Sequence, residues 1–343
     1  MLLLKFVGKF LIYLVLTLIS IFVIAYFAIN PDTQIAMTAE YDDSIEAIQI
    51  DSSFFHSESY GITGDPVLII VHGGPGFDFK NLLPLKALAD SSNYVIFYDQ
   101  RGSGLSPRVN PEEISIASSL ADLDSVVENY RSDNKVNILG HGWGAALATE
   151  YTANNLEKVN KLILAESIYL KPEIAESRKQ ETAPGTASEV SNLFTMFTLF
   201  MEALHVKTPD DQAWMDYLLY KMMTIDMSNN NPVSKYFCDS LNTDYFNVWR
   251  MGSFSNQRIM SEIVNEGNYV HDFSVGIENF SGETLIISSE CNQVFGFDTQ
   301  KEHESLFQNV DHVLIKDSGH LMFSEQTDTC LTLINDFLKS TSE

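Results

Sequence analysis

The most apolar stretch of the chain runs from Phe10 to Ile29, 20 residues without a charge, FLIYLVLTLISIFVIAYFAI. As a helix it spans roughly 30 Å, the thickness of a bilayer core. Tyr13 and Tyr26 sit toward its two ends, where interfacial aromatics collect. Residues 31–45 read as a short linker. Alternation of apolar and polar positions begins at Ala47-Ile48-Gln49-Ile50 and returns between Phe54 and Tyr60, a mark of antiparallel strands. Short continuous apolar runs follow, at 66–71, 94–98, 136–139, 161–165, 284–288 and 311–315. Such runs suit parallel strands buried on both faces. Helical spacing separates them at 114–131, from Trp143 to about 156, at 298–308 and at 325–339. This alternation predicts an α/β fold with a mostly parallel central sheet flanked by helices and right-handed crossovers.

Between 167 and 281 the pattern changes. The stretch is rich in Met and Phe, with helical spacing at 189–204, 211–224 and 255–265, two tryptophans (Trp214 and Trp249), and a polar turn at Ser228-Asn229-Asn230-Asn231-Pro232. It reads as a helical cap inserted into the α/β frame. Its Met and aromatic stripes are expected to be cap core, since no polar ligand set accompanies them. The predicted organisation is an N-terminal transmembrane anchor (1–30), a linker (31–45), the first part of the core (46–166), the cap (167–281) and the second part of the core (282–343).

Charge narrows the partners. The chain has 21 Lys and Arg against 46 Asp and Glu, a net charge of −25. Residues 1–30 hold Lys5 and Lys9 and no acid, so the remainder is more acidic still. Nucleic acid is excluded as an expected partner, because phosphate binding needs a basic face. An acidic surface confers solubility and would favour cationic ligands such as peptides with free amines. Lys5 and Lys9 precede the apolar run and no Lys or Arg recurs until Lys80. The positive-inside rule then predicts a single-pass membrane protein with a cytoplasmic N-terminus and an extracytoplasmic domain. A cleaved signal fits less well. Its apolar region spans ~7–15 residues, and a cut after Ala28 puts Tyr26 where a small residue is needed. Cys238, Cys291 and Cys330 show no C-x-x-C spacing, so neither a metal knuckle nor a redox pair is expected. They read as three buried thiols, with one disulfide open if the domain lies in an oxidising compartment. No metal or cofactor is predicted.

The chemistry concentrates at Gly140-His141-Gly142-Trp143-Gly144, after the strand at 136–139 and before a helix of small residues. Strand, sharp turn and helix are the setting of the G-x-S-x-G nucleophile elbow, with the serine position held by Gly142. Glycine has no side chain to attack a carbonyl, so covalent catalysis lacks its nucleophile there.

The sequence His72-Gly73-Gly74-Pro75-Gly76, then Asp99-Gln100-Arg101-Gly102-Ser103-Gly104, then this glycine-centred elbow resembles the prolyl aminopeptidase (proline iminopeptidase) family of α/β-hydrolases over about residues 46–340. The resemblance implies a triad in the order nucleophile, acid, base. The nucleophile corresponds to Gly142. The acid, just past the strand after the cap, corresponds to Asn292, with Glu290, Asp298 and Glu166 as nearby carboxylates that could replace it. The base corresponds to His320, preceded by Gly319. The backbone N–H groups of Gly74 and Trp143 would form the oxyanion hole, with His72, Gly73, Pro75 and Gly76 shaping the pocket loop. Asp99 and Arg101 are expected to lock neighbouring loops. The family's amine-recognising site in the cap has no identifiable counterpart here.

The expected function is a membrane-anchored pseudo-hydrolase, non-catalytic or weakly active, that binds a small ligand, peptide or protein partner. The alternative is an enzyme of altered mechanism, with His320 as general base and the Gly74/Trp143 hole stabilising charge. A third class is a scaffold that uses the whole domain as an interaction surface.

Overall fold

In a computed structural model of the chain, residues 2–29, 33–50, 52–178, 189–207, 210–224, 232–238 and 247–340 are described. The predicted turn at 228–231 lies outside them. The first helix, α1, runs Leu2–Ala28. Its segment Phe6–Ala28 is long and apolar enough to span a membrane and is not buried against the rest of the molecule.

Eight strands form one sheet: β1 (Ala47–Ile50), β2 (Ser53–Tyr60), β3 (Val67–Val71), β4 (Tyr94–Tyr98), β5 (Val136–His141), β6 (Val159–Ala165), β9 (Glu283–Ser289) and β10 (Val310–Ile315). Their order is β1-β2-β4-β3-β5-β6-β9-β10. β1 and β2 run antiparallel, as their alternating sequences predict, and the strands from β4 to β10 are mutually parallel. A two-residue hairpin, β7 (Val264–Asn265) with β8 (Asn268–Tyr269), lies apart.

The apolar runs are explained by two-sided burial. In β3, Ile69 and Val71 join one core cluster with Val126, Ile138 and Trp143. Leu68 and Ile70 point to the opposite face and join Leu85, Phe97, Ile287 and Phe323. The pleat sends successive side chains to opposite faces, so a strand covered on both sides carries no polar positions. The helices α2 (Ile116–Arg131) and α3 (Trp143–Asn154) pack on the first face. α2 starts on a capping box in which Ser115 and Ser118 satisfy each other's backbone N–H groups.

Between β6 and β9 lie α4 (Pro172–Arg178), α5 (Glu189–Ala203), α6 (Ala213–Thr224), α7 (Ser253–Ile263) and the hairpin. A buried ion network fastens α6 to the frame. Asp216 accepts from Arg108 Nε (2.8 Å) and Arg250 Nε (2.9 Å), and Arg250 also grips Asp210 through two bonds of 2.7 Å. After the cap, α8 (Phe297–His303) follows β9, and α9 (Met322–Glu325) and α10 (Thr327–Lys339) follow β10 and pack on the second face.

Residues 33–45, read as a linker from their sequence, are held against the domain. Thr38 is buried, Ala39 N–H donates to Leu105 O at 2.8 Å, and Ala36 O accepts from Arg250. The 3-10 run Lys80–Ser91 was not predicted. Pro84 within it and its mixed pattern match neither helical nor strand periodicity.

Candidate active site

β5 ends in a left-handed turn. Gly142 has φ +56° and ψ −117°, and α3 begins at the next residue. L-residues with a side chain rarely occupy that region, and a strained turn here is what lifts the elbow residue out of the sheet. Gly142 N–H is anchored on Ala165 O at 2.9 Å. A Cβ placed on Gly142 would lie 3.3 Å from both Cε1 and Nε2 of His320 and 3.8 Å from Gly73 Cα. Elbow, base position and glycine loop therefore meet at one point, as the sequence predicts.

Three motifs are bolted together behind it. His72 Nε2 accepts from Gln100 N–H (3.0 Å), so His72 Nδ1 carries the proton and donates to Gly73 O (2.8 Å). The Gln100 amide donates to His72 O and accepts from Trp143 Nε1, each at 2.8 Å. Gly144 lies so close to β3 that a Cβ there would meet Val71 O at 2.1 Å. On the far side, Pro75 O accepts from Asn256 Nδ2, and Gly76 O accepts from Gly252 N–H at 2.7 Å. Among the described residues the N–H groups of Gly74 and Trp143 have no acceptor, and that of Trp143 heads α3, where helix N–H groups are left over.

Asp99 and Arg101 do lock loops, through separate partners. Asp99 accepts from His56 Nδ1 (2.6 Å), Phe79 N–H and Leu105 N–H. Arg101 makes a two-pronged bond to Asp122 at 2.7 and 2.6 Å.

The acid position resolves into a pair. Asn292 follows β9 and is buried. Its Oδ1 accepts from Val294 N–H (2.9 Å) and Phe295 N–H (3.0 Å). Two backbone donors thus fix which end of the amide is oxygen. Nδ2 must face the site, where it donates to Glu166 Oε2 and lies 3.4 Å from His320 Nδ1. Glu166, immediately after β6, is fully buried, has φ +49°, and places Oε2 3.6 Å from the same Nδ1. Glu290 and Asp298 stand away from the imidazole. Glu290 is exposed and accepts from Asp317 N–H, and the Asp298 side chain is 76% exposed beside Arg178.

This arrangement bears on the proton of His320. The Asn292 amide donor, 3.4 Å from Nδ1, favours the tautomer in which Nδ1 accepts and Nε2, pointing at Gly142, carries the hydrogen. Burial pushes the imidazole down to about 4, so it is neutral at physiological pH. Burial also pushes Glu166 up to about 8, against the pull of its Ser289 and Asn292 donors.

Two positioning residues escaped sequence reading. His141 donates Nε2–H to His320 O at 2.7 Å and lays its ring over the His320 ring at 4.4 Å. Burial and the neighbouring imidazole push it down to about 3. Its only signal was its place in the elbow. Tyr236 O accepts from His320 N–H at 2.7 Å. The expectation of three thiols is corrected beside it: Cys238 and Cys291 form a disulfide, and Cys330 alone is free and buried. The bridge ties the 232–238 segment to the residue before Asn292. Lacking a short motif, it could not be read from spacing.

A profile of the alpha/beta hydrolase fold family matches residues 66–327. A proline iminopeptidase of Thermoplasma volcanium is 24% identical over 276 residues, 79% of this chain and 88% of that protein. One from Heyndrickxia coagulans is 36% identical over 123 residues, 34% of this chain and 40% of the relative. Among solved structures, VinJ superposes with a TM-score of 0.61 at 15% identity, covering 87% of this chain and 99% of that one. The proline iminopeptidase of Mycobacterium smegmatis gives 0.56 at 15% identity, over 86% and 97% of the two chains. With the eight-stranded sheet and the elbow already in place, these matches make the chain a member of the alpha/beta hydrolase fold family that resembles the proline iminopeptidases.

Proposed function

We propose that the protein is a membrane-anchored pseudo-hydrolase that binds a ligand through a carbonyl or carboxylate oxygen and does not turn it over. The observation that carries the reading is the glycine at residue 142 facing His320, whose Nδ1 lies 3.4 Å from the Asn292 amide, a contact that favours the hydrogen on Nε2. A triad base must accept the proton of the nucleophile at Nε2. Here both halves of that transfer are missing. The same Nε2–H, with the free N–H groups of Gly74 and Trp143, makes a set of donors suited to a ligand oxygen. Among the described residues no hydroxyl or thiol is hydrogen-bonded to His320 Nε2, and Cys291 is tied up in its disulfide. The hydroxyls of Ser103 and Ser167 bond instead to Ser255 Oγ and Ile168 O.

The anchor reading is supported by the exposed apolar helix and by Lys5 and Lys9 on its N-terminal side. The disulfide suits an oxidising compartment and so an extracytoplasmic domain.

The test is the full-length protein in detergent, treated with a fluorophosphonate probe and assayed on esters and proline arylamides. Absence of labelling and of turnover is expected; stoichiometric labelling overturns the proposal. A second reading rests on Glu166 Oε2 at 3.6 Å from Nδ1. If that carboxyl displaced the Asn292 amide, His320 would become a base toward water. Slow hydrolysis that His320→Ala abolishes would establish that reading in place of the first.

A further inference from the structure

α6 is apolar on two sides. Leu219, Tyr220 and Met223 face inward and pack in a cluster with Phe77, Phe237, Met251 and Leu321, beside His320. Trp214 and Met222, eight residues apart, face outward and are 38% and 45% exposed. α5 extends this outer face. Phe197, Phe200 and Leu204 stand at helical spacing, each 37% exposed, and the Phe200 ring meets Trp214 edge-on at 6.3 Å. A surface helix of a water-soluble domain carries one apolar stripe. The second stripe here needs a partner.

The position of α1 names it. Tyr26, in the last turn of the apolar helix, stacks on His205 at 4.3 Å with ring planes 22° apart. His205 directly follows Leu204, so the outer stripe begins where the helix leaves the bilayer. An aromatic at the end of a span sits at headgroup depth, and His205 shares that depth. Phe200 is one turn before Leu204 on the same face, and its ring meets Trp214. Interfacial helices sink their apolar faces roughly 5–10 Å into the headgroup boundary.

We propose that the outer face of α5 and α6 rests in the headgroup layer of the bilayer that holds α1. The occupant is a zwitterionic lipid surface. The acidic domain opposes both an anionic bilayer and a second copy of itself. The proposal rests on the anchor reading, and the experiment separates the two. The full-length protein is placed in phosphatidylcholine nanodiscs, with ordinary lipid or lipid brominated on its acyl chains. α1 contains no tryptophan, Trp143 is buried, and Trp249 packs on His56 and Phe79. Quenching therefore reports Trp214. Brominated lipid should lower its emission roughly two-fold, given that burial depth, and Trp214→Phe should remove the effect. Leu18→Trp in the Trp214→Phe background reports α1 itself. If Leu18→Trp is quenched and Trp214 is not, the cap proposal is overturned and the anchor stands; if neither is quenched, both fall. Protection of Trp214 from acrylamide that rises with protein density, without quenching by brominated lipid, would assign the face to a second copy and overturn the proposal.

Discussion

On the proposed reading, Asn292 weighs on the chemistry as heavily as Gly142 does. A carboxylate beside Nδ1 accepts that nitrogen's hydrogen and leaves Nε2 free to take one; an amide pinned by Val294 and Phe295 reverses both. Restoring the nucleophile alone should therefore fail. Gly142→Ser is expected to show little hydrolysis, because its hydroxyl meets Nε2–H. Gly142→Ser with Asn292→Asp should exceed it by roughly 10⁴ in kcat, the cost of the wrong tautomer elsewhere. Assays on ester and proline-arylamide substrates check this, and equal rates for the two variants would refute the tautomer argument. Nitrogen-15 spectra of His320 give a direct view: the parent should show Nε2–H and Asn292→Asp should show Nδ1–H. Gly142, Asn292 and His320 were all legible in the sequence, since each sits at a fixed offset from a strand or a glycine. Glu166 was visible only as a candidate. Its role depends on which strands are neighbours, and β6 pairs with β9 across the whole inserted cap.

At the scale of elements, the HGGPG loop, the DQRGSG loop and the elbow are one mechanical unit because Gln100 bonds to both of the others. Their joint appearance in the sequence reflects that lock. α3 is seated by Gly144 against Val71 O. Gly144→Ala must push the helix off the strand, and we expect a loss of more than about 2 kcal/mol, in the range of severe core substitutions, measured by denaturant unfolding. The network under α6 makes a sharper case. Arg250 and Asp216 have no exposed side-chain surface. Arg250→Met leaves Asp216 with Arg108 and the Ser253 N–H, and Asp210 without its two-pronged partner, and should cost ~3–5 kcal/mol. The strands were read well because burial on both faces leaves nothing but apolar residues. The acids and arginines that fasten the cap are far apart in sequence, and no local pattern pairs them.

At the scale of the molecule, stability should fall as pH rises from 6.5 to about 9. Burial alone would lower His56, but the Asp99 carboxylate at 2.6 Å outweighs it and holds the imidazole up at about 9. A raised folded value means stabilisation that is complete below 6.5 and gone above 9. Glu166 and Asp78, both pushed up to about 8 by burial, keep protons that the unfolded chain gives up near 4.5 and 3.8. Their contribution fades with rising pH as well. Thermal melts should show a falling midpoint across this window, with a shallower slope in His56→Gln; a flat profile would count against the buried pair. Reduction of Cys238–Cys291, which closes a loop of 53 residues, should cost about 4 kcal/mol on the chain-entropy account.

The stretch from 33 to 45 looked, on composition, like slack rope. Because Ala36, Thr38 and Ala39 are woven onto the Arg250 network and the DQRGSG loop, residues 33–45 belong to the head. On the proposed anchor reading, these 13 residues add no slack between stalk and head, so the mouth would keep a set height and bearing above the membrane, and whatever it captures would have to arrive within that narrow zone.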